Sequence, residues 1–245
     1  MIIDAPYRIF SLGDSAITLD FGNFIDEKIN QNIIRLFYSL QRAPLPGMIE
    51  VVPAYSSLTI YYDPWQVKKF IHQNETSYKW ISEQLEKRIQ TPLEEEENIA
   101  RLLKIPVCYD KEFSSDLELI ANEKHIPVED VIQIHLSKTY RVYMLGFLPG
   151  FSYMGLVDER IEMPRKLQPR LRVEPGSVGI TGRQTGIYPL PSPGGWQIVG
   201  RTPLKLFEAH PNLTKGKAYE DSICLLQPGD EVMFYSITID EFKSY

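Results

Sequence analysis

The chain has 245 residues, 43% of them apolar and 24% charged, with a formal net charge of −6. This is the composition of a globular protein of one or two domains with enough apolar residues for sizeable cores. The acidic balance speaks against a dedicated nucleic-acid binder, and the longest uncharged runs, 142–157 and 184–200, are too short and too broken by Gly and Pro for a membrane span.

The average hides an uneven distribution. Residues 146–203 hold 10 of the 15 glycines and 8 of the 18 prolines, with seven Lys and Arg against four Asp and Glu. An acidic body therefore carries a turn-rich, arginine-rich insert. The N-terminus, Met1 to Pro6, lacks the basic start and apolar stretch of a signal peptide, and Cys108 and Cys224 have no CxxC spacing. Reduced thiols and a cytoplasmic location are the expectation.

In chain order, Tyr7–Leu12 and Ala16–Phe21 read as strands joined through Gly13-Asp14-Ser15. Ile25, Ile29, Ile33, Leu36, Phe37 and Leu40 form one stripe of a helix over 25–40, ended by Pro44 and Pro46. Ile49–Val52 and Ser57–Tyr62 are the next strands. Asp63-Pro64 opens a helical region running to Gln90, interrupted near Asn74–Ser77. The β-β-α-β-β-α order predicts an α+β domain with helices on one face of an antiparallel sheet.

Thr91-Pro92 and the acidic run Glu94–Glu97 mark a boundary, giving domains 1–92 and 98–245. Beyond it, Leu102–Cys108 is a strand, and Ser115 with Glu118 reads as a capping box for a helix through Ala121. Pro127 opens a second helix whose apolar side is Val128, Val131, Ile132 and His135. Strand-like Tyr140–Phe147, Ser177–Thr181, Gln197–Val199 and Val232–Tyr235, set between turn clusters, predict a barrel or sandwich.

No P-loop or nucleophile elbow is present, and His72, His125, His135 and His210 lack metal-ligand spacing, so no metal site is expected. The insert carries the chemistry. Its glycines permit close backbone approach and its prolines stiffen loops. Arg165, Arg170, Arg172, Arg183 and Arg201 suit two-pronged binding of carboxylate or phosphate. Thr185 lies between them in sequence, and Tyr188 and Trp196 offer a flat apolar wall, although such aromatics are more often core. Arg165, Arg170, Arg183, Thr185, Tyr188, Trp196 and Arg201 are thus the substrate- or nucleotide-binding candidates, with no catalytic residue assigned.

Six strings in the insert are Gly146-Phe-Leu-Pro-Gly-Phe-Ser-Tyr153, Pro164-Arg165, Gly176-Ser-Val178, Gln184-Thr-Gly-Ile-Tyr-Pro189, Ser192-Pro-Gly-Gly-Trp196 and Gly200-Arg-Thr-Pro203. Together with Gly13-Asp14, Val52-Pro53-Ala54-Tyr55, His135 and Gly229-Asp230, they resemble the 5-oxoprolinase B-subunit family, also labelled KipI or allophanate hydrolase subunit 1. Glu174-Pro175 departs from it, since the family more often reads Pro-Ala before the Gly-Ser. The resemblance implies an α+β N-terminal domain followed by a cyclophilin-like β-barrel. It further implies a hetero-oligomer with the C and A subunits of 5-oxoprolinase that opens 5-oxoproline to L-glutamate, using ATP with Mg²⁺. The alternative it carries is inhibition of a sporulation histidine kinase.

Overall fold

The computed structural model describes residues 5–71, 75–91, 100–208 and 223–245. Pro92, the Glu94–Glu97 run, His72, Asn74 and His210 lie outside the described residues. The chain divides into two compact units, Met1–Ile99 and Ala100–Tyr245.

The first unit contains β1 (Arg8–Ser11), β2 (Ala16–Asp20), α1 (Glu27–Arg42), β3 (Met48–Pro53), β4 (Ser57–Tyr62), α2 (Pro64–Val67) and α3 (Ser77–Gln90). Gly13 turns the first hairpin at a φ of 68°, a conformation that costs glycine little. The strands form an antiparallel sheet in the order β1-β2-β4-β3. Register places Ile17 beside Ile60 and Leu19 beside Leu58, so period-2 alternation turns these four to one face. Ile33, Leu36 and Leu40 of α1 and Ile81 and Leu85 of α3 bury that face. Asp26 caps α1 by accepting from the Ile29 N–H at 2.9 Å. The helical region after Asp63 proves to be two elements: Asp63 caps only the single turn of α2, and Thr76 caps α3 separately.

The second unit runs β5 (Leu102–Cys108), α4 (Leu117–Lys124), α5 (Val128–Leu136), β6 (Thr139–Leu145), β7 (Ser152–Gly155), β8 (Arg170–Val173), β9 (Ser177–Thr181), β10 (Gln184–Ile187), β11 (Ser192–Gly194), β12 (Gln197–Arg201), β13 (Phe207–Glu208), β14 (Ile223–Cys224), β15 (Glu231–Ile237) and α6 (Ile239–Ser244). Seven strands close a barrel in the order β10-β7-β6-β15-β5-β12-β9. β15 lies parallel to β5 throughout its length, with Glu231 beside Leu102 and Ile237 beside Cys108. Inward residues including Ile105, Val142, Met154, Val178, Ile180, Val199 and Phe234 form the core, joined by Leu117 and Ile120 of α4 and Val131 of α5. β8 and β11 pair with each other outside the barrel. A second cluster, separate from the barrel core, contains Phe151, Val173, Tyr188, Trp196 and Ile198.

Two expectations change. The strand over 140–147 stops at Leu145, and Phe147 takes a φ of 65° in the following turn. The Ser115–Glu118 capping box does not form. The residue at the N-cap of α4 is Asp116, whose carboxylate faces β12 and two cations instead of the helix; Ser115 accepts from Arg170, and Glu118 pairs with Lys111. A capping box does form at α6, between Thr238 and Glu241. Both cysteines are free thiols. Among the described residues no helix is long and apolar enough to cross a membrane.

Candidate functional site

A cavity of about 190 Å³ opens where the turn after β5, strand β8 and the end of β12 converge. Arg170, Arg172 and Arg201 line it, with Phe113 and Ile198 as apolar wall and Ser177 at the start of β9. Glu112 and Glu174 are the acidic residues of the lining.

Asp116 organises one side. It is only 3% exposed, and four groups converge on its carboxylate and backbone. Oδ2 accepts from the Ile198 N–H at 2.7 Å. Arg170 Nη2 lies 2.6 Å from both oxygens, and Lys166 Nζ lies 2.8 Å from Oδ1. The Asp116 N–H returns a bond to the Ile198 carbonyl at 3.0 Å. A buried carboxylate is tolerated only when so fully matched. Arg170 also donates to the Ser115 hydroxyl at 3.1 Å, which fixes its plane along the cavity edge. Arg172, at the rim, pairs with Glu174 two residues on.

Arg201 differs. Its Nε donates to the Pro175 carbonyl at 2.8 Å, and its guanidinium carbon lies 5.7 Å from the centre of the Phe113 ring. Phe113 is in turn backed by Phe242 of α6, with ring centres 4.4 Å apart. Among the described residues, no carboxylate lies within ion-pair distance of Arg201, and neither Nη has a hydrogen-bond acceptor. Gly176 makes this placement possible. It sits at a φ of 81°, and a Cβ there would come within 2.2 Å of the Thr202 carbonyl. Without a side chain, the Pro175-Gly176 turn packs directly on the end of β12, and the Thr202 N–H bonds to the Gly176 carbonyl at 2.9 Å.

The seven residues singled out by sequence do not form one surface. Arg170 and Arg201 meet at the cavity. Arg165 is exposed beside Gly195, where a Cβ would meet its Nε at 2.8 Å. Arg183 occupies the exposed β9–β10 hairpin and pairs with Glu159 at 3.2 Å. Tyr188 and Trp196 are buried side chains of the second cluster, with the Phe151 ring set edge-on to both. Burial pushes the Tyr188 phenol pKa up, against the opposing pull of the Trp196 backbone and Arg165. The aromatic wall read from sequence is therefore packing.

Thr185 lies in the barrel interior, fully buried. Its hydroxyl donates to the Gly179 carbonyl at 3.1 Å, so it can only accept from His135 Nε2 at 3.2 Å. That leaves His135 Nδ1 to accept from the Tyr109 hydroxyl at 2.8 Å. The proton order is thereby determined along the whole chain of groups. Burial lowers the His135 pKa to about 3 and raises that of Tyr109 well above the ordinary phenol range, so both are neutral at pH 7. His135 also stacks on Phe234 at 4.9 Å. It is a satisfied core histidine, as its helical spacing implies.

The family model described as the carboxyltransferase domain, subdomain C and D, matches residues 7–214. A protein of Bacillus subtilis, named as the B subunit of 5-oxoprolinase, is 41% identical over 98% of this chain and 96% of its own length. A protein of the same name from Escherichia coli O157:H7 is 34% identical over 93% and 94%. The chain belongs to the 5-oxoprolinase B-subunit family. The solved structure of TTHA0988 superposes with a TM-score of 0.74 at 34% identity, covering 95% of this chain and 40% of the other. In that protein the family's fold is one part of a longer polypeptide.

The span matched to the family includes every residue lining the cavity, whereas Phe242, which backs Phe113, lies beyond it. Sequence reasoning missed Asp116 and Phe113. An aromatic residue in the otherwise polar turn Asp110–Ser114 was the available signal for Phe113. Asp116 had none, since its partner Arg170 lies 54 residues away.

Proposed function

We propose that the chain is the B component of an ATP-dependent 5-oxoprolinase, acting with C-type and A-type partner subunits to open 5-oxoproline to L-glutamate. The near full-length correspondence with the B components of two bacteria is the observation that carries this reading. On this reading the second unit's closed seven-stranded sheet is the family's cyclophilin-like barrel.

The chemistry explains why ATP is consumed. A lactam carbonyl is a poor electrophile. Transfer of the γ-phosphoryl group to its oxygen activates the ring carbon; water adds there and the ring nitrogen departs. A second water hydrolyses the resulting acyl phosphate, giving glutamate, ADP and phosphate. Arginine donors fit both the substrate carboxylate and the charge on a transferring phosphoryl group. Mg²⁺ is proposed to accompany the nucleotide as the counter-ion of its phosphates. The hydroxyl–imidazole contacts of Tyr109, His135 and Thr185 are sealed in the barrel core, so we place the reaction at a site shared between subunits.

The test is reconstitution. The chain mixed with its C- and A-type partners should release ADP only when 5-oxoproline is present, and omission of the chain should abolish release. An assembled complex without turnover would overturn the proposal. The kinase-inhibitor alternative predicts instead that the chain alone binds a histidine-kinase dimerisation domain and lowers autophosphorylation.

A further inference from the structure

We infer that the cavity between β8, β12 and the turn after β5 is a pocket for a small monocarboxylate, whose carboxylate is gripped by the two Nη groups of Arg201. The assignment of 5-oxoproline as the occupant rests on the function proposed above; the pocket and its ligand class rest on geometry alone.

Three observations select this class. The first is charge. Arg170, together with Lys166, answers Asp116, and Arg172 answers Glu174. With Glu112 also counted, one positive charge remains in excess, and the guanidinium left without a carboxylate is that of Arg201. A monoanion such as a carboxylate matches this excess.

The second is donor geometry. Nε is occupied by the Pro175 carbonyl, while Phe113 lies against the guanidinium from one side. Ordering of this long side chain is thus complete before any ligand arrives, and the remaining edge offers a parallel N–H pair matched to a carboxylate.

The third is size. At about 190 Å³ the cavity falls below the roughly 300–1,000 Å³ of pockets for drug-sized ligands. A five-membered ring bearing a carboxylate is of a size to match it. Phe113, Val173 and Ile198 supply an apolar wall for the ring carbons, and Ser115 and Ser177 supply hydroxyls on the same lining for its amide.

Isothermal titration of the purified full chain provides the test, with backbone amide shifts of Ser177 and Ile198 as the locator. 5-Oxoproline should bind and move both signals, while 2-pyrrolidinone, the same ring without the carboxylate, should not bind. Arg201→Ala should weaken binding at least tenfold. Arg201→Lys, which keeps the charge and loses the fork, should recover only part of the loss. Inorganic phosphate should compete at least ten times more weakly than 5-oxoproline; equal competition would overturn the carboxylate assignment. Equal affinity for 2-pyrrolidinone, unchanged affinity in Arg201→Ala, or no binding of any small carboxylate would also overturn it. If L-glutamate or acetate binds through Arg201 and 5-oxoproline does not, the pocket stands and the substrate reading fails. If the reconstituted complex turns over with its KM unaffected by Arg201→Ala, the function stands and the pocket fails.

Discussion

The barrel unit carries two polar constellations, and their hydrogen-bonding states are opposite. Around His135 and Thr185 every donor has an acceptor, from the Tyr109 hydroxyl through the imidazole to the Gly179 carbonyl. Around the cavity, Asp116 is matched on every side, yet Arg201 beside it keeps two N–H-bearing nitrogens without acceptors. A network whose polar groups are all paired within the protein contributes to folding specificity and stability. A guanidinium held in place from behind, with its front edge open, is arranged to receive something. Residue type alone does not separate these cases, because Thr185 and Arg201 both lie in polar strings of the same insert.

The contrast can be broken from either side. The largest expected effect is in the packed region: Trp196→Ala, which removes the indole set against Phe151 and Tyr153, should cost about 3–5 kcal/mol in denaturant unfolding. Next comes Asp116→Ala. It strands Arg170 and Lys166 and should cost about 2–4 kcal/mol, less than a wholly buried pair because both cations keep about a quarter of their side-chain exposure. It should also weaken carboxylate binding, since Arg170 loses its anchor. Thr185→Val leaves the His135 Nε2–H and the Gly179 carbonyl facing an apolar side chain. A loss of about 1–3 kcal/mol follows, with affinity at the cavity unchanged.

His135 gives the pH test. Its folded pKa, about 3, lies below the ordinary histidine value of 6.5. Protons therefore bind preferentially to the unfolded chain. This contribution is fully present above pH 6.5 and is lost as pH falls towards 3, with a limiting slope of about 1.4 kcal/mol per pH unit. Replacing His135 with Gln should flatten that slope in urea melts between pH 6.5 and 4. The smallest stability effect is expected for Arg201→Ala, below about 1 kcal/mol, because its one internal hydrogen bond is partly exposed.

Much of the fold was legible in the sequence. The stripe from Ile33 to Leu40, the Asp63 cap and the β2–β4 alternation each follow from local periodicity, and each appears in the structure. What stayed hidden depends on long-range pairing. The parallel alignment of β15 with β5 joins residues about 130 positions apart, and no local pattern records it. Ser115 and Glu118 met the spacing of a capping box, but Asp116 between them was drawn to β12 and Arg170. The five arginines were identified as anion binders by type. Which of them already had a carboxylate partner was decided by Asp116, Glu159 and Glu174 in three dimensions. Gly176 alone carried a local clue to Arg201, since a glycine after proline marks a tight backbone approach.

The most direct measurement is the KM for 5-oxoproline of the reconstituted complex, comparing wild type with Arg201→Ala. Loss of a charge-assisted two-pronged contact of about 1.5–3 kcal/mol predicts a rise of roughly 10- to 150-fold, with assembly and thermal midpoint preserved. A KM equal to that of wild type in an intact complex would contradict the account.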